Sequence, residues 1–156
     1  MAFEDLNDEQ LNDIAKHFSE MGTLRELKGI TDGEMDAIYA TGVNFYKVGK
    51  FDDAEKIFKF LVMFDHTSSR YWTAMGSLRQ VQRRFDEAIA AYQYAIFLDI
   101  KNPRPLYYLA ECYLAKGDKE GCLTALKKLD EHCPKTTETG RNYLAKGAKL
   151  KALAAA

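Results

Sequence analysis

The chain matches itself when shifted by 34 residues, three times in one register, with segments starting at residues 35, 69 and 103. Gly42, Gly76 and Ala110 coincide under that shift. So do the small residues Ala54, Ala88 and Cys122, the large Phe58, Tyr92 and Leu126, and then Leu61, Ala95 and Leu129. Ile38, Trp72 and Leu106 match near each start, and Pro134 closes the third segment. A repeat of this length is one supersecondary unit that cannot bury its apolar face alone, so neighbouring copies must stack. Small residues are required where two helices cross closely, and large ones fill the space beside the crossing. Gly42 and Gly76 each cost about 1 kcal/mol in helix propensity relative to Ala, so their place in the repeat signals close packing.

The order of bulky, Gly or Ala, small, aromatic and small positions, closed by Pro, resembles the tetratricopeptide repeat. The resemblance implies an all-α array of helical hairpins. There are departures. Arg79 stands where the first helix of a repeat carries an aromatic, Arg83 replaces the turn glycine seen at Gly49 and Gly117, and His66 and Ile100 stand where Pro ends a repeat. The pattern predicts helices at 35–48 and 52–64, 69–82 and 86–98, and 103–116 and 119–131. A helix at 8–21, capped by Asn7 or Asp8, precedes them, and a short helical turn at 23–29 starts at Thr23 and ends at Gly29. Asp52 and Asp53 are read as caps of the helix that follows them, since carboxylates suit a helix N-terminus. The organisation is an N-terminal helical segment, 1–34, for capping or self-association. Three repeats follow within 35–134 (35–68, 69–102 and 103–136), then a C-terminal capping helix within 137–156. Leu144, Leu150 and Leu153 suit that cap.

Composition bounds the function. At 156 residues, 47% hydrophobic and 29% charged, the chain reads as one soluble domain. The formal net charge of −1 suggests neither nucleic acid nor an anionic membrane as partner. Charge is nonetheless uneven. Residues 1–34 hold nine acids and three bases, a balance of −6, and residues 135–156 hold five bases and one acid, a balance of +4. The acidic N-terminus MAFEDLNDEQ is no secretory signal, and no stretch has the length of a membrane span. Cys112, Cys122 and Cys133, odd in number and without C-x-x-C spacing, fit a reducing cytoplasm and argue against a disulfide framework or zinc site.

No catalytic constellation is present: there is no Gly-rich phosphate loop, no H-E-x-x-H and no G-x-S-x-G. His17, His66 and His132 are scattered, and the neighbours His132 and Cys133 point about 100° apart on a helix. The chain is read as a non-enzyme without metal or cofactor.

What remains is a face. The first helix of repeat 1 carries Ile38, Gly42 and Phe45 at the consensus packing positions, and Tyr39, Val43 and Tyr46 one residue round. In a tetratricopeptide array the second stripe lines the concave groove. The same face gives Thr73, Ser77 and Gln80 in repeat 2 and Tyr107, Glu111 and Leu114 in repeat 3. The groove is thus aromatic at one end and polar in the middle. Tyrosine, with an apolar ring and a polar tip, is favoured at binding surfaces. Three readings stay open: Tyr39 and Tyr46 are ligand contacts that can be removed without loss of the fold, or they are partly core, or the N-terminal helices fill the groove. The basic clamp used for acidic C-termini is missing, since its positions here are Tyr39, Val43, Ala74, Arg104 and Tyr108.

The repeats and their flanks, over roughly 8–135, resemble the class II chaperones of type III secretion translocators. The resemblance rests on GTLRELKGI (22–30), IYATGVNFYKVGKFDDAEKIFKFLVMFDHTSSRYW (38–72) and DIKNPRPLYYLAECYLAKG (99–117). It implies a bacterial cytoplasmic chaperone that holds one or two hydrophobic translocator proteins soluble and export-competent. A short translocator segment would lie in the concave groove, on Tyr39, Val43 and Tyr46, with Thr73, Met75, Ser77, Tyr92 and Tyr107 also lining it. It also implies homodimerisation through the N-terminal region, where Leu11, Ile14 and Phe18 form an apolar stripe. That stripe can equally fold back on its own repeat 1. A general protein-interaction scaffold of the same repeat is the other class the sequence admits.

Overall fold

The computed structural model describes residues 22–156. The helix expected at 8–21, with Leu11, Ile14 and Phe18, lies outside the described residues. Every described regular element is a helix: α1 (Leu24–Lys28), α2 (Asp32–Lys47), α3 (Phe51–Phe64), α4 (Ser69–Val81), α5 (Phe85–Leu98), α6 (Pro103–Ala115), α7 (Lys119–His132) and α8 (Glu138–Ala155). The expected boundaries hold to within about three residues.

Local chemistry explains the ends. Thr23 caps α1 in a reciprocal box with Glu26, and Gly29 closes it in the left-handed region at φ 67°. Helix α2 starts earlier than the repeat pattern because Thr31 and Glu34 form a second capping box. Asn102 caps α6 ahead of two prolines, and Asp118 and Thr137 cap α7 and α8. The expectation for Asp52 and Asp53 is corrected: α3 begins at Phe51 with Lys50 as an N-cap that makes no side-chain bond. Both carboxylates lie in the first turn, where they meet the helix dipole and cap nothing.

The hairpins are α2–α3, α4–α5 and α6–α7, each turned by a residue in the left-handed region or close to it. Gly49 has φ 77° and Gly117 has φ 81°, and Arg83, at the same point of repeat 2, is held at φ 61°. Within each hairpin the expected small-against-large pairing is present. A Cβ on Gly42 would lie 2.7 Å from both Ile57 Cγ2 and Phe58 Cε1. In repeat 3, Ala110 and Leu126 are buried in one cluster.

Two continuous cores result. Met35, Phe58, Leu61, Tyr71 and Leu78 centre the first, and Tyr92, Leu106, Leu109, Leu126 and Leu129 the second. Helix α8 docks on the second through Gly140, Tyr143, Gly147, Leu150 and Ala154. The assignment of Leu153 to this face is corrected, since it is 66% exposed. A cap built on glycines approaches more closely than one built on leucines: a Cβ on Gly147 would meet Leu129 Cδ2 at 2.9 Å.

Arg79 is the most costly departure from the repeat pattern. Its side chain is 8% exposed and binds Glu55 through two nitrogens, at 2.8 and 2.9 Å. Glu87 and Gln82 complete its surroundings. The pair spans α3 and α4 and so ties repeat 1 to repeat 2, where an aromatic ring would only have filled space.

Candidate functional site

The array is curved, and the helix neighbours give the sense of the curve. The first helices of successive hairpins touch one another, α2 on α4, α4 on α6 and α6 on α8. Among the described residues the second helices, α3, α5 and α7, touch none of their own kind. The first helices therefore form the inner, concave row.

Tyr39, Val43 and Tyr46 lie on that inner row and are half-buried. They differ in what holds them. Tyr39 sits 5.8 Å from the Tyr71 ring and 6.4 Å from Phe58, and the Arg70 guanidinium covers it at 4.4 Å from the ring centre. Arg70 is in turn paired with Asp36. Of the readings left open, partly core holds for Tyr39, which contributes to the first core, and Val43 and Tyr46 also pack against it. Tyr46 makes an edge contact with Phe51 at 5.9 Å, and partial burial pushes its hydroxyl above the ordinary value. It borders a depression of about 340 Å3 together with Ser77, Gln80, Val81 and Tyr108.

The middle of the groove is a hydrogen-bonded floor. Thr73 Oγ1 donates to the Ser69 carbonyl at 2.7 Å, and Ser77 Oγ to the Thr73 carbonyl at 3.0 Å. The Tyr92 hydroxyl donates to Gln80 Oε1 at 2.7 Å and lies 3.2 Å from Ser77 Oγ. Gln80 Nε2 then donates to Glu111 Oε2 at 3.0 Å. The expectation for Tyr92 is corrected here. Its ring is fully buried beneath Gly76, so it supports the floor from below and offers a ligand no surface. Met75 and Thr73, each 7% exposed, are likewise closer to core than to surface. Ser77 remains half-open.

The far end of the groove is aromatic as well, beyond the single Tyr107 that the repeat pattern puts there. Tyr107 is half-buried, with Tyr108 5.5 Å and Tyr143 5.6 Å away, ring centre to ring centre. Tyr108 stacks on Tyr92 at 5.9 Å. Lys146 places its ammonium 5.0 Å over Tyr143 and 5.9 Å over Tyr107. Tyr143 and Lys146 come from α8, the helix read from sequence only as a cap. A fourth shift of 34 would have aligned Tyr143 with Leu109 and Met75, residues that face the preceding repeat, and so exposed its role.

A second depression, of about 540 Å3, opens between the outer helices α5 and α7, with Ile96, Phe97, Leu109, Tyr113 and Thr124 among its walls. Phe97 is 81% exposed there. The three cysteines are buried, and burial pushes the Cys112 thiol up to about 12, so it stays protonated and inert near neutrality. Among the described residues no helix is long and apolar enough to cross a membrane.

A tetratricopeptide repeat family model matches residues 82–146. The low calcium response locus protein H of Yersinia pestis is 38% identical over 97 residues, which is 62% of this chain and 58% of that protein. The match thus spans less than two thirds of that relative's own length. PcrH from Pseudomonas aeruginosa, a solved structure, superposes with a TM-score of 0.75 at 30% identity, covering 81% of this chain and 96% of that one. The type III secretion chaperone SycD of Yersinia enterocolitica, solved in complex with a peptide of the translocator YopD, superposes with a TM-score of 0.74 at 28% identity, covering 81% and 95%.

Proposed function

The chain belongs to the class II chaperones of type III secretion translocators, and from that premise we propose that it is a bacterial cytoplasmic chaperone without catalytic activity, which holds one or two hydrophobic translocator proteins soluble and export-competent by gripping an extended segment of each in its concave groove. The observation that carries this reading is the inner row itself. Tyr46, Val43 and Ser77 are half-open on the row formed by α2 and α4, beside a depression large enough for an apolar side chain. A floor that the described residues leave uncovered marks a binding surface. An extended segment suits it, because the hydroxyl and amide groups of Ser77 and Gln80 can meet backbone polar groups while Val43 and Tyr46 take apolar side chains. By likeness to SycD with its YopD peptide, the partner is a translocator. Residues 8–30, with Leu11, Ile14 and Phe18, supply a homodimer contact in the same proposal. Nucleic acid and membrane insertion play no part in it.

Co-expression with the proteins encoded beside it, followed by affinity capture, tests the proposal. One or two membrane-active proteins should copurify and precipitate when the chaperone is left out. Capture of proteins unrelated to secretion, with the translocators soluble on their own, would favour the general scaffold and end this reading.

A further inference from the structure

The groove contains a carboxylate that no described side chain neutralises. Glu111 stands on α6 in the inner row and is half-buried. Its hydrogen-bond donor is neutral: Gln80 Nε2 at 3.0 Å. Burial first, and then the nearby Glu111 carboxylate, push the Tyr107 hydroxyl up to about 12, so that neighbour too is neutral near pH 7. Among the described residues no Lys, Arg or His forms an ion pair with it, whereas half-buried Glu55 and buried Asp65 each have an arginine and half-buried Asp53 has Lys56. Of the basic side chains near the groove, Arg70 is engaged with Asp36 and over Tyr39, Lys146 over the faces of Tyr107 and Tyr143, and Arg104, one turn before Tyr108 on α6, is exposed.

An open groove lets water solvate such a charge. A ligand laid along the floor removes that water, and a buried carboxylate with only neutral donors is then costly. A cation supplied by the ligand offsets the cost and fixes the register at one point, whereas an acid placed there is rejected. We propose that Glu111 selects a basic side chain, Lys or Arg, in the bound segment, in register with apolar side chains seated against Val43 and Tyr46. This inference rests on the groove reading above and adds the chemistry of the segment.

The test is a phage-displayed library of random linear peptides, panned against the full-length protein and, in parallel, against its Glu111→Gln and Glu111→Lys variants. Peptides from the unaltered protein should carry Lys or Arg at a constant spacing from an apolar residue. Those from Glu111→Lys should carry Asp or Glu at that place, and those from Glu111→Gln should show neither. Replacing the basic residue of a selected peptide by Gln should weaken binding roughly tenfold to the unaltered protein, the size of one charge-assisted hydrogen bond, and leave binding to Glu111→Gln unchanged. Selected peptides that bind Tyr46→Ser more weakly yet show no charge preference would overturn the role of Glu111 and leave the groove reading standing. Selected peptides that bind Tyr46→Ser as tightly as the unaltered protein do not occupy the groove, and that result overturns both.

Discussion

Gly76 lies directly against the ring of Tyr92: a Cβ at position 76 would stand 2.5 Å from Tyr92 Cε1 and 2.7 Å from Cδ1. The two residues are 16 apart, the same separation as Gly42 and Phe58 in repeat 1 and Ala110 and Leu126 in repeat 3. The third repeat is therefore the natural form of a double exchange, in which the small residue grows by one carbon as the ring opposite is replaced by leucine.

Gly76→Ala should accordingly destabilise the fold by about 1–2 kcal/mol, the overpacking cost outweighing a helix-propensity gain of about 1 kcal/mol. Urea unfolding monitored by circular dichroism measures it. Adding Tyr92→Leu should cost less in the Gly76→Ala background than alone, and equal costs in both backgrounds would show that the contact is not shared.

Arg83 occupies a left-handed conformation, φ 61°, that Gly49 and Gly117 adopt without a Cβ. That conformation costs a non-glycine residue about 1–2 kcal/mol, and the extra freedom of glycine in the unfolded chain returns roughly half of this. Arg83→Gly should raise stability by up to about 1 kcal/mol. A loss would mean that the approach of Arg83 to the Phe85 ring, 6.0 Å from its centre, outweighs the strain.

The Arg79–Glu55 pair predicts a particular acid sensitivity. The guanidinium of Arg79, followed by the ammonium of Lys59, holds the Glu55 carboxyl at about 2 against an ordinary value of 4.5. A depressed carboxyl stabilises the folded state above its unfolded value and loses that contribution as pH falls. The stability gap between the unaltered protein and Arg79→Met should be about 2 kcal/mol near pH 7 and shrink between pH 4.5 and 2. A gap that does not change over that window would show that packing alone accounts for Arg79.

Tyr39 and Tyr46 should separate stability from binding. Tyr39→Ala removes contacts to Tyr71, Phe58 and Arg70 and should cost about 2 kcal/mol of stability, less than a fully buried aromatic. Tyr46→Ser, which loses the edge contact with Phe51 and part of its packing on the first core, should cost about 1 kcal/mol of stability while weakening partner capture by about 2 kcal/mol or more, as loss of an interface anchor does. Thermal unfolding beside a pull-down assay distinguishes the two, and the account fails here if Tyr46→Ser binds normally.

The periodic features were legible in the sequence, and the features that break the period were not. A shift of 34 locates six helices and the close crossings at Gly42 and Gly76, because packing at a repeated interface demands the same residue size each time. It does not reveal that Arg79 pairs with Glu55, since two residues 24 apart on different helices share no period. The start of α2 was written in the chain as Thr31-x-x-Glu34, outside the repeat frame and therefore passed over. For the groove, the repeat frame puts Tyr39, Val43, Tyr46, Ser77 and Tyr107 on first helices, and the first helices form the inner row. The place of Tyr92 was not legible, because a position marked large and aromatic does not say whether its ring lies on the floor or beneath it.

The central claim, that the concave row grips an extended translocator segment, is tested most directly by site-specific photo-crosslinking in the full-length protein co-expressed with its translocator. A photoreactive side chain at position 77, on the groove floor, should capture one short segment of the translocator. The same group at position 97, beside the depression between α5 and α7, serves as the comparison and should capture none. Efficient capture at 97 with none at 77, in a complex that still forms, would place the partner on the outer face and contradict the account.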